Sequence, residues 1–358
     1  MKDDFATAMR RSLEQTRAGN PQEATRLIQE ALAGGADMPF AAPPASQAAA
    51  RAEPGRPHRR LPDVLAGLAR RPPGLEFPMR RTDRIVDIPD GALFERRRHE
   101  GPHGARDYRL YRPSDLPHGI RGLILMLHGC TQSPEDFAVG TRMNEVAERN
   151  GLLVVYPEQT RTHNASLCWN WFRPQDQGGP GGEAALLADL TEAVAAGHEV
   201  PPARSFAAGL SAGGAMAAIL ANSHPGVFAA VGIHSGLAPG SAQDVVSAFA
   251  AMRGDPTPRA EPLRLPAIIF HGSADATVAP VNAGRLAGHL DRTAHRSGTG
   301  PGRRHDVLTG RNAGGQSIEV WRIDGAGHAW SGGHADGSHT DPHGPDASAE
   351  MVRFFLSL

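Results

Sequence analysis

The stretch Phe206-Ala207-Ala208-Gly209-Leu210-Ser211-Ala212-Gly213-Gly214-Ala215-Met216 restricts the fold more than any other part of the chain. It reads as a short buried strand, a sharp turn and a helix, with the pattern Gly209-x-Ser211-x-Gly213 at the turn. Side chains two residues either side of the serine would clash with the neighbouring strand or helix, so glycine stands there. The turn lifts the serine hydroxyl clear of the sheet. The helix behind it points free N–H groups back at the serine, where negative charge develops in acyl transfer. A glycine-rich chain contains this pattern by chance often enough that context must carry it. Here a small-residue strand precedes it, and Ala215 to Ala221 follow as a good helix former.

Strands and helices alternate on both sides of that stretch. Phe94 to His99 and Asp107 to Tyr111 alternate as an antiparallel hairpin. Gly122 to Gly129 and Leu152 to Tyr156 are continuously apolar and read as buried strands. Between them Asn144 to Arg149 closes a helix at Asn150-Gly151. Helices follow at Leu186 to Ala196, Asp244 to Met252, Val281 to Leu290 and Ala347 to Phe355. Further strands are expected at Arg204 to Ala208, Ala229 to Ile233, Ala267 to His271 and, last, Ser317 to Ile323. This alternation predicts an α/β fold with a mostly parallel sheet covered on both faces. Active sites of such sheets lie at the carboxyl ends of the strands.

The chain has 358 residues, of which 40% are hydrophobic, enough for one large domain plus extras. Asp4 to Leu32 reads as two helices broken at Gly19-Asn20-Pro21, giving a helical hairpin over 1–33. Residues 34–78 turn to Ala, Pro, Gly and Arg and read as a partly disordered linker. The catalytic domain is expected over 79–358. With 37 basic and 38 acidic residues, nothing recommends nucleic acid as a partner. Arg96-Arg97-Arg98 reads as a solvated strand edge. No apolar run reaches membrane-spanning length, so no membrane partner is expected. Met1-Lys2-Asp3-Asp4-Phe5 lacks the apolar core of a signal peptide, so a cytoplasmic location is expected. Two cysteines are too few for a disulfide scaffold.

A serine nucleophile needs a base within hydrogen-bond reach, and the base needs an orienting acid. On a sheet of this kind they follow in the order Ser, acid, His, each after a strand. Ser211, Asp275 and His328 supply that order. Asp324 is the rival acid, although its place before a turn also suits an Asx turn. Asp275 alone would also serve as a helix cap. His128 and His271 end strands and read as structural. His334, His339 and His343 share a Gly/Asp-rich tail with Asp336, Asp341 and Asp346. Their spacing fits no regular ligand pattern, and a solvated loop is expected there rather than a metal site. The oxyanion donors are expected from the N–H groups of Ala212 and of Cys130, in the loop His128-Gly129-Cys130-Thr131. Cys168-Trp169-Asn170-Trp171-Phe172 is an aromatic cluster at the active-site edge. It reads equally as a wall for an acyl chain or as a loop anchored in the core. Trp169, Trp171 and Trp330 are the candidate substrate contacts.

Five motifs occur in order: His128-Gly129-Cys130-Thr131-Gln132, Tyr156-Pro157-Glu158-Gln159, Cys168-Trp169-Asn170-Trp171-Phe172, Gly209 to Met216, and Gly327-His328-Ala329-Trp330-Ser331-Gly332-Gly333. Over about Arg106 to Leu358 the chain resembles esterases of the poly(3-hydroxybutyrate) depolymerase family, which includes feruloyl and acetylxylan esterase-like members. The resemblance implies an α/β-hydrolase fold and a serine esterase needing no cofactor. It implies Ser211 as nucleophile, Asp275 as acid, His328 as base, and a bridge between Cys130 and Cys168 beside the site. The implied substrates are 3-hydroxyalkanoate oligomers or polymer. Feruloyl or acetyl-carbohydrate esters are the alternative, and a non-catalytic scaffold the reading from another class. Secreted family members make an extracellular location the alternative to the cytoplasmic one. They commonly carry a polymer-binding module, and without one soluble oligomers, amorphous polymer or small esters are expected ahead of crystalline polymer.

Overall fold

The computed structural model describes residues 86–179, 181–257 and 261–358. The expected hairpin over 1–33 and linker over 34–78 lie outside them. Residues 79–358 cluster as a unit of their own. The strands before the catalytic turn are β1 (Leu93–Gly101), β2 (Gly104–Arg112), β3 (Gly122–Leu127) and β4 (Leu152–Pro157), with helices α1 (Pro134–Thr141) and α2 (Met143–Asn150) between β3 and β4. Helix α3 (Glu183–Gly197), β5 (Ser205–Leu210), α4 (Ala212–Ser223), β6 (Ala230–His234), α5 (Val245–Met252), β7 (Ala267–Gly272) and α6 (Val281–Ala287) follow. The chain closes with β8 (Asp291–Thr299), β9 (Arg304–Arg311), β10 (Ser317–Ile323), the two-residue strands β11 (Trp330–Ser331) and β12 (Thr340–Asp341), and α7 (Ala347–Leu356).

Ten strands form one sheet in the order β1-β2-β4-β3-β5-β6-β7-β10-β9-β8. The run from β4 to β10 is parallel, and the strands at both edges are antiparallel. Side chains of a strand alternate between faces, and both faces here are buried. Leu123, Leu125 and Leu127 of β3 point into the core under α3, α4, α5 and α6. Ile124 and Met126 point into the opposite core under α1, α2 and α7. Phe206 of β5 stacks on Phe355 of α7, with centroids 4.7 Å apart, and fixes the last helix to the centre of the sheet. Among the described residues no helix is long and apolar enough to cross a membrane.

Three departures from the sequence reading have local causes. Helix α6 ends at Ala287 rather than Leu290, because Gly288 takes φ 67° and ψ −161°, a conformation that glycine adopts without strain. The β8–β9 hairpin was not expected. Nearly all of Asp291–Thr299 is exposed and β9 buries only Val307 of its eight residues, so neither strand carries an apolar period. The Gly/Asp-rich tail is packed, not merely solvated. Ser338 N–H donates to Asp136 Oδ1 at 3.0 Å, His334 N–H to Gly140 O at 2.9 Å, and Arg303 pairs with Asp341. A Cβ at Gly337 would stand 2.1 Å from Gly140 Cα, so the tail and α1 touch backbone to backbone.

Candidate active site

Ser211 sits between β5 and α4 at φ 58° and ψ −118°, a backbone state costing about 1–3 kcal/mol for a residue with a side chain. The flanking glycines make the turn sterically possible. A Cβ on Gly209 would stand 2.4 Å from Gly213 C, and one on Gly213 would stand 2.0 Å from Leu127 O. Ser211 N–H donates to His234 O at 2.9 Å, which ties the turn to the end of β6.

Asp275 lies in the turn after β7, with a wholly buried side chain. Its Oδ1 accepts the N–H groups of Thr277 and Val278, each at 2.9 Å. Its Oδ2 accepts His328 Nδ1–H at 2.8 Å. Burial alone would raise this carboxyl, but the His328 bond, that ring's charge and the Val278 N–H outweigh it and hold the group below the ordinary carboxylate range. The ion is therefore kept at neutral pH, and His328 is left with Nε2 as its free nitrogen. Asp324 is exposed and makes no hydrogen bond or ion pair with His328 among the described residues.

His234 links the two loops that carry Ser211 and His328. The His234 carbonyl holds Ser211 N–H, while its Nε2 accepts Ser331 N–H at 3.1 Å from the loop that carries His328. Among the described residues Ser211 Oγ and His328 make no hydrogen bond. Such bonds are often long in an unliganded enzyme and shorten on binding substrate. Burial, with His271 and His328 nearby, depresses His234 to about 3. Its ring is a neutral spacer stacked between Trp330 and Phe270.

Ser211 opens on a cavity of about 460 Å³ lined also by Ala212, Cys130, Trp171, Phe172, Leu237 and Phe249. Ala212 is the first residue of α4, where N–H groups lack an intrahelical acceptor. Cys130 N–H meets no backbone carbonyl among the described residues. Its loop is pinned around it. Thr131 N–H donates to Ser166 O at 3.0 Å, and Gly129 N–H to Gln132 Oε1 at 2.8 Å. Gln132 in turn reaches Asp136 and Ser338, so the packed tail braces the loop.

Cys130 and Cys168 are joined by a disulfide with Cα atoms 4.2 Å apart. It ties the Cys130 loop to the aromatic wall across 38 residues. In the chain-entropy model a closed loop of that length is worth about 4 kcal/mol. Reduction is expected to lower the thermal midpoint by several degrees and to slow ester turnover through a looser Cys130 N–H. The measurement is a thiol count after unfolding without reductant, followed by melting curves with and without reductant. Two free thiols, or identical melting curves, would remove the bridge from this account.

The three tryptophans do not share one role. Trp171 lines the cavity. Trp169 and Trp330 are 0% and 1% exposed and do not line it, so their assignment as substrate contacts is corrected here. Trp169 Nε1–H donates to His128 O at 2.9 Å, and Arg106 lies 5.5 Å over its ring. Trp330 donates to Ser348 Oγ at 3.1 Å and packs edge-on against Phe137. Both are anchors of loops. The sequence reading also missed the buried group that holds the aromatic loop. Arg106 pairs with Glu183 at 3.1 Å, Gln159 Nε2 donates to Glu183 Oε1 at 2.7 Å and to Cys168 O at 3.0 Å, and Asn170 N–H donates to Glu183 Oε2 at 2.6 Å. Gln159 and Asn170 stood in recognised motifs, but Arg106 and Glu183 did not. His128 bridges the same region, donating from Nδ1 to Gly129 O at 2.7 Å and accepting Gln159 N–H at 3.2 Å. Among the described residues no group of three or more His, Cys, Asp or Glu is placed to hold a metal ion.

A strained serine between strand and helix, on a parallel sheet with helices on both faces, defines the α/β-hydrolase fold. Residues 106–307 match the family described as Esterase PHB depolymerase, and the chain belongs to that family. It is 31% identical over 236 residues to poly(3-hydroxyalkanoate) depolymerase C of Paucimonas lemoignei, covering 60% of this chain and 56% of that one. It is 34% identical over 127 residues to feruloyl esterase B of Thermothelomyces thermophilus, covering 35% of this chain and 43% of that one. The chain thus spans about half the length of these curated relatives. Among solved structures, an acetyl xylan esterase from Aspergillus awamori shares the fold at a TM-score of 0.54 and 18% identity, over 66% of this chain and 94% of that one.

Proposed function

We propose that the chain is a serine carboxylic ester hydrolase acting on 3-hydroxyalkanoate oligoesters. The observation that carries this is the strained Ser211, facing a cavity, together with the buried Asp275 hydrogen-bonded to the half-buried His328. Ser211 Oγ attacks the ester carbonyl while His328 Nε2 takes its proton, and the oxyanion is received by the N–H groups of Ala212 and Cys130. The acyl C–O bond then breaks, and the alcohol leaves with the proton from His328. Water, deprotonated by His328, attacks the acyl-serine and releases the carboxylic acid and Ser211. The balance is ester plus water to acid plus alcohol. Asp275 stays ionised and orients the histidine throughout. Family membership and the similarity to a poly(3-hydroxyalkanoate) depolymerase support the substrate class.

The similarity to a feruloyl esterase, together with the aromatic faces of Trp171 and Phe172, favours feruloyl esters as the second reading. The test is a panel of 3-hydroxybutyrate oligomers, feruloyl esters and acetylated sugars, run beside a fluorophosphonate label. Ser211 is expected to be labelled, with the oligomers cleaved at the highest kcat/KM. Feruloyl esters ahead by tenfold would transfer the assignment to them. An unlabelled, inert protein would make the chain a scaffold.

A further inference from the structure

At the end of β6, His234 holds the Ser211 turn with its backbone and the His328 loop with its side chain. Its carbonyl accepts Ser211 N–H at 2.9 Å. Its Nε2 accepts the N–H of Ser331, three residues after His328, at 3.1 Å. That bond requires a neutral ring carrying its proton on Nδ1. Nδ1 faces Ser235 Oγ at 3.2 Å, and burial keeps the ring neutral. His234 and Ser331 are each 1% exposed, so water does not stand in for the bond when the acceptor is removed. Phe270 and Trp330 both stack on the ring, with centroids at 5.8 and 5.3 Å, and hold its orientation. The next residue, Ser235, is kept at φ 49°, a backbone state that a residue with a side chain keeps only where its surroundings impose it. His234 does not line the Ser211 cavity. Among the described residues the His328 ring has one hydrogen bond, to Asp275. That bond fixes the Nδ1 side of the ring and leaves its distance from Ser211 to be set elsewhere.

We propose that His234 is a positioning residue for acyl transfer, one that sets the spacing between the Ser211 hydroxyl and His328 Nε2 by holding both loops to the end of β6. The proposal rests on the ester-hydrolase reading above. Ser211 Oγ and His328 make no hydrogen bond among the described residues, and such bonds shorten when substrate binds. The closing movement is small, and His234 gives both partners one point of reference for it. A misplacement of about 1 Å at such a pair can cost about 100-fold in rate. Because His234 lies outside the cavity lining, its loss leaves substrate binding in place and falls on kcat.

The experiment compares two substitutions in the full chain on one small ester, at a temperature where circular dichroism shows each variant folded. His234→Phe keeps a ring for Phe270 and Trp330 but removes the acceptor. His234→Gln gives up the ring but carries an amide oxygen that can reach the place of Nε2 and accept Ser331 N–H. His234→Phe is expected to lower kcat by about 30-fold with KM within about twofold, and to slow fluorophosphonate labelling of Ser211 in step. His234→Gln should restore kcat to within about fivefold of the unsubstituted enzyme. A merely structural ring predicts the reverse order, with activity following the melting midpoint and His234→Phe the better variant. If His234→Phe does not fold, His234→Asn replaces it, since its shorter amide reaches the place of Nδ1 and not of Nε2, and it should be equally slow. Full kcat in His234→Phe, His234→Gln as slow as His234→Phe, or a change confined to KM would each overturn the proposal while leaving the ester-hydrolase reading standing. An unsubstituted enzyme that neither cleaves the ester nor takes the label would overturn the hydrolase reading, and this inference with it.

Discussion

Ser211→Ala is expected to lower kcat/KM for a simple carboxylic ester by about 10⁴-fold or more, and His328→Ala by a similar factor, because the two act as one unit. The fold should survive the serine change. Among the described residues the Ser211 hydroxyl makes no hydrogen bond, and alanine meets the same strain at φ 58° as serine does. Ser211→Gly separates chemistry from stability. It should be equally inactive yet more stable, by about 1 kcal/mol or more, because glycine relieves the backbone strain. Asp275→Asn should cost about 10⁴-fold in kcat, since an amide at Oδ2 favours the wrong histidine tautomer. Asp324→Asn should be mild, its side chain being exposed and making no hydrogen bond or ion pair with His328 among the described residues. Steady-state kinetics on one small ester, with circular dichroism and melting curves for each variant, decides the assignment. If Asp324→Asn were the damaging change and Asp275→Asn the mild one, the acid would have been misassigned.

The parts of this molecule that were legible in the sequence are those where one local pattern has one physical cause. Buried parallel strands must be apolar on both faces, so β3 and β4 stood out as unbroken runs. The elbow was legible because only glycine fits where Gly213 meets the Leu127 carbonyl. Asp275 and His328 were singled out because each follows a strand end, and the fold brings them to 2.8 Å of each other.

What stayed hidden depends on partners far apart in sequence. Arg106 and Glu183 are an ordinary arginine and glutamate until the fold buries them together, 77 residues apart. Nothing local distinguishes Trp171, which faces the cavity, from Trp169, two residues earlier and fully buried. An aromatic side chain serves equally as core or as wall, and the difference is set by which way the loop is pulled. Gln159, Glu183 and the disulfide do that pulling. The β8–β9 hairpin was invisible for the opposite reason: it is held by its ladder and one edge of β10 rather than by an apolar face.

Acid should destabilise the domain well above the pH at which its carboxylates titrate. His128 and His234 are buried, and burial lowers them to about 4 and about 3. Both lie below the ordinary histidine value of about 6.5 expected once the chain unfolds. A group depressed in this way binds its proton in the unfolded chain first. Its contribution is complete above pH 6.5 and is lost as the pH falls toward the folded value. Each site should therefore remove roughly 1.4 kcal/mol per pH unit below 6.5, or about 3 kcal/mol by pH 4. His271, lowered chiefly by burial, adds in the same direction. Carboxylates held low, such as Asp275 and Glu135, lose their contribution only below about pH 4.5, so they leave the upper window clear. Glu183 acts oppositely, because burial raises its carboxyl, and offsets part of the loss. Urea midpoints at pH 7.0, 5.5 and 4.5 should fall steadily. His128→Asn should start less stable at pH 7.0, having lost two hydrogen bonds to the ring, yet show a shallower decline. A midpoint that held constant from pH 7.0 to 4.5, or a variant with an unchanged slope, would mean that the buried imidazoles do not govern the acid limb.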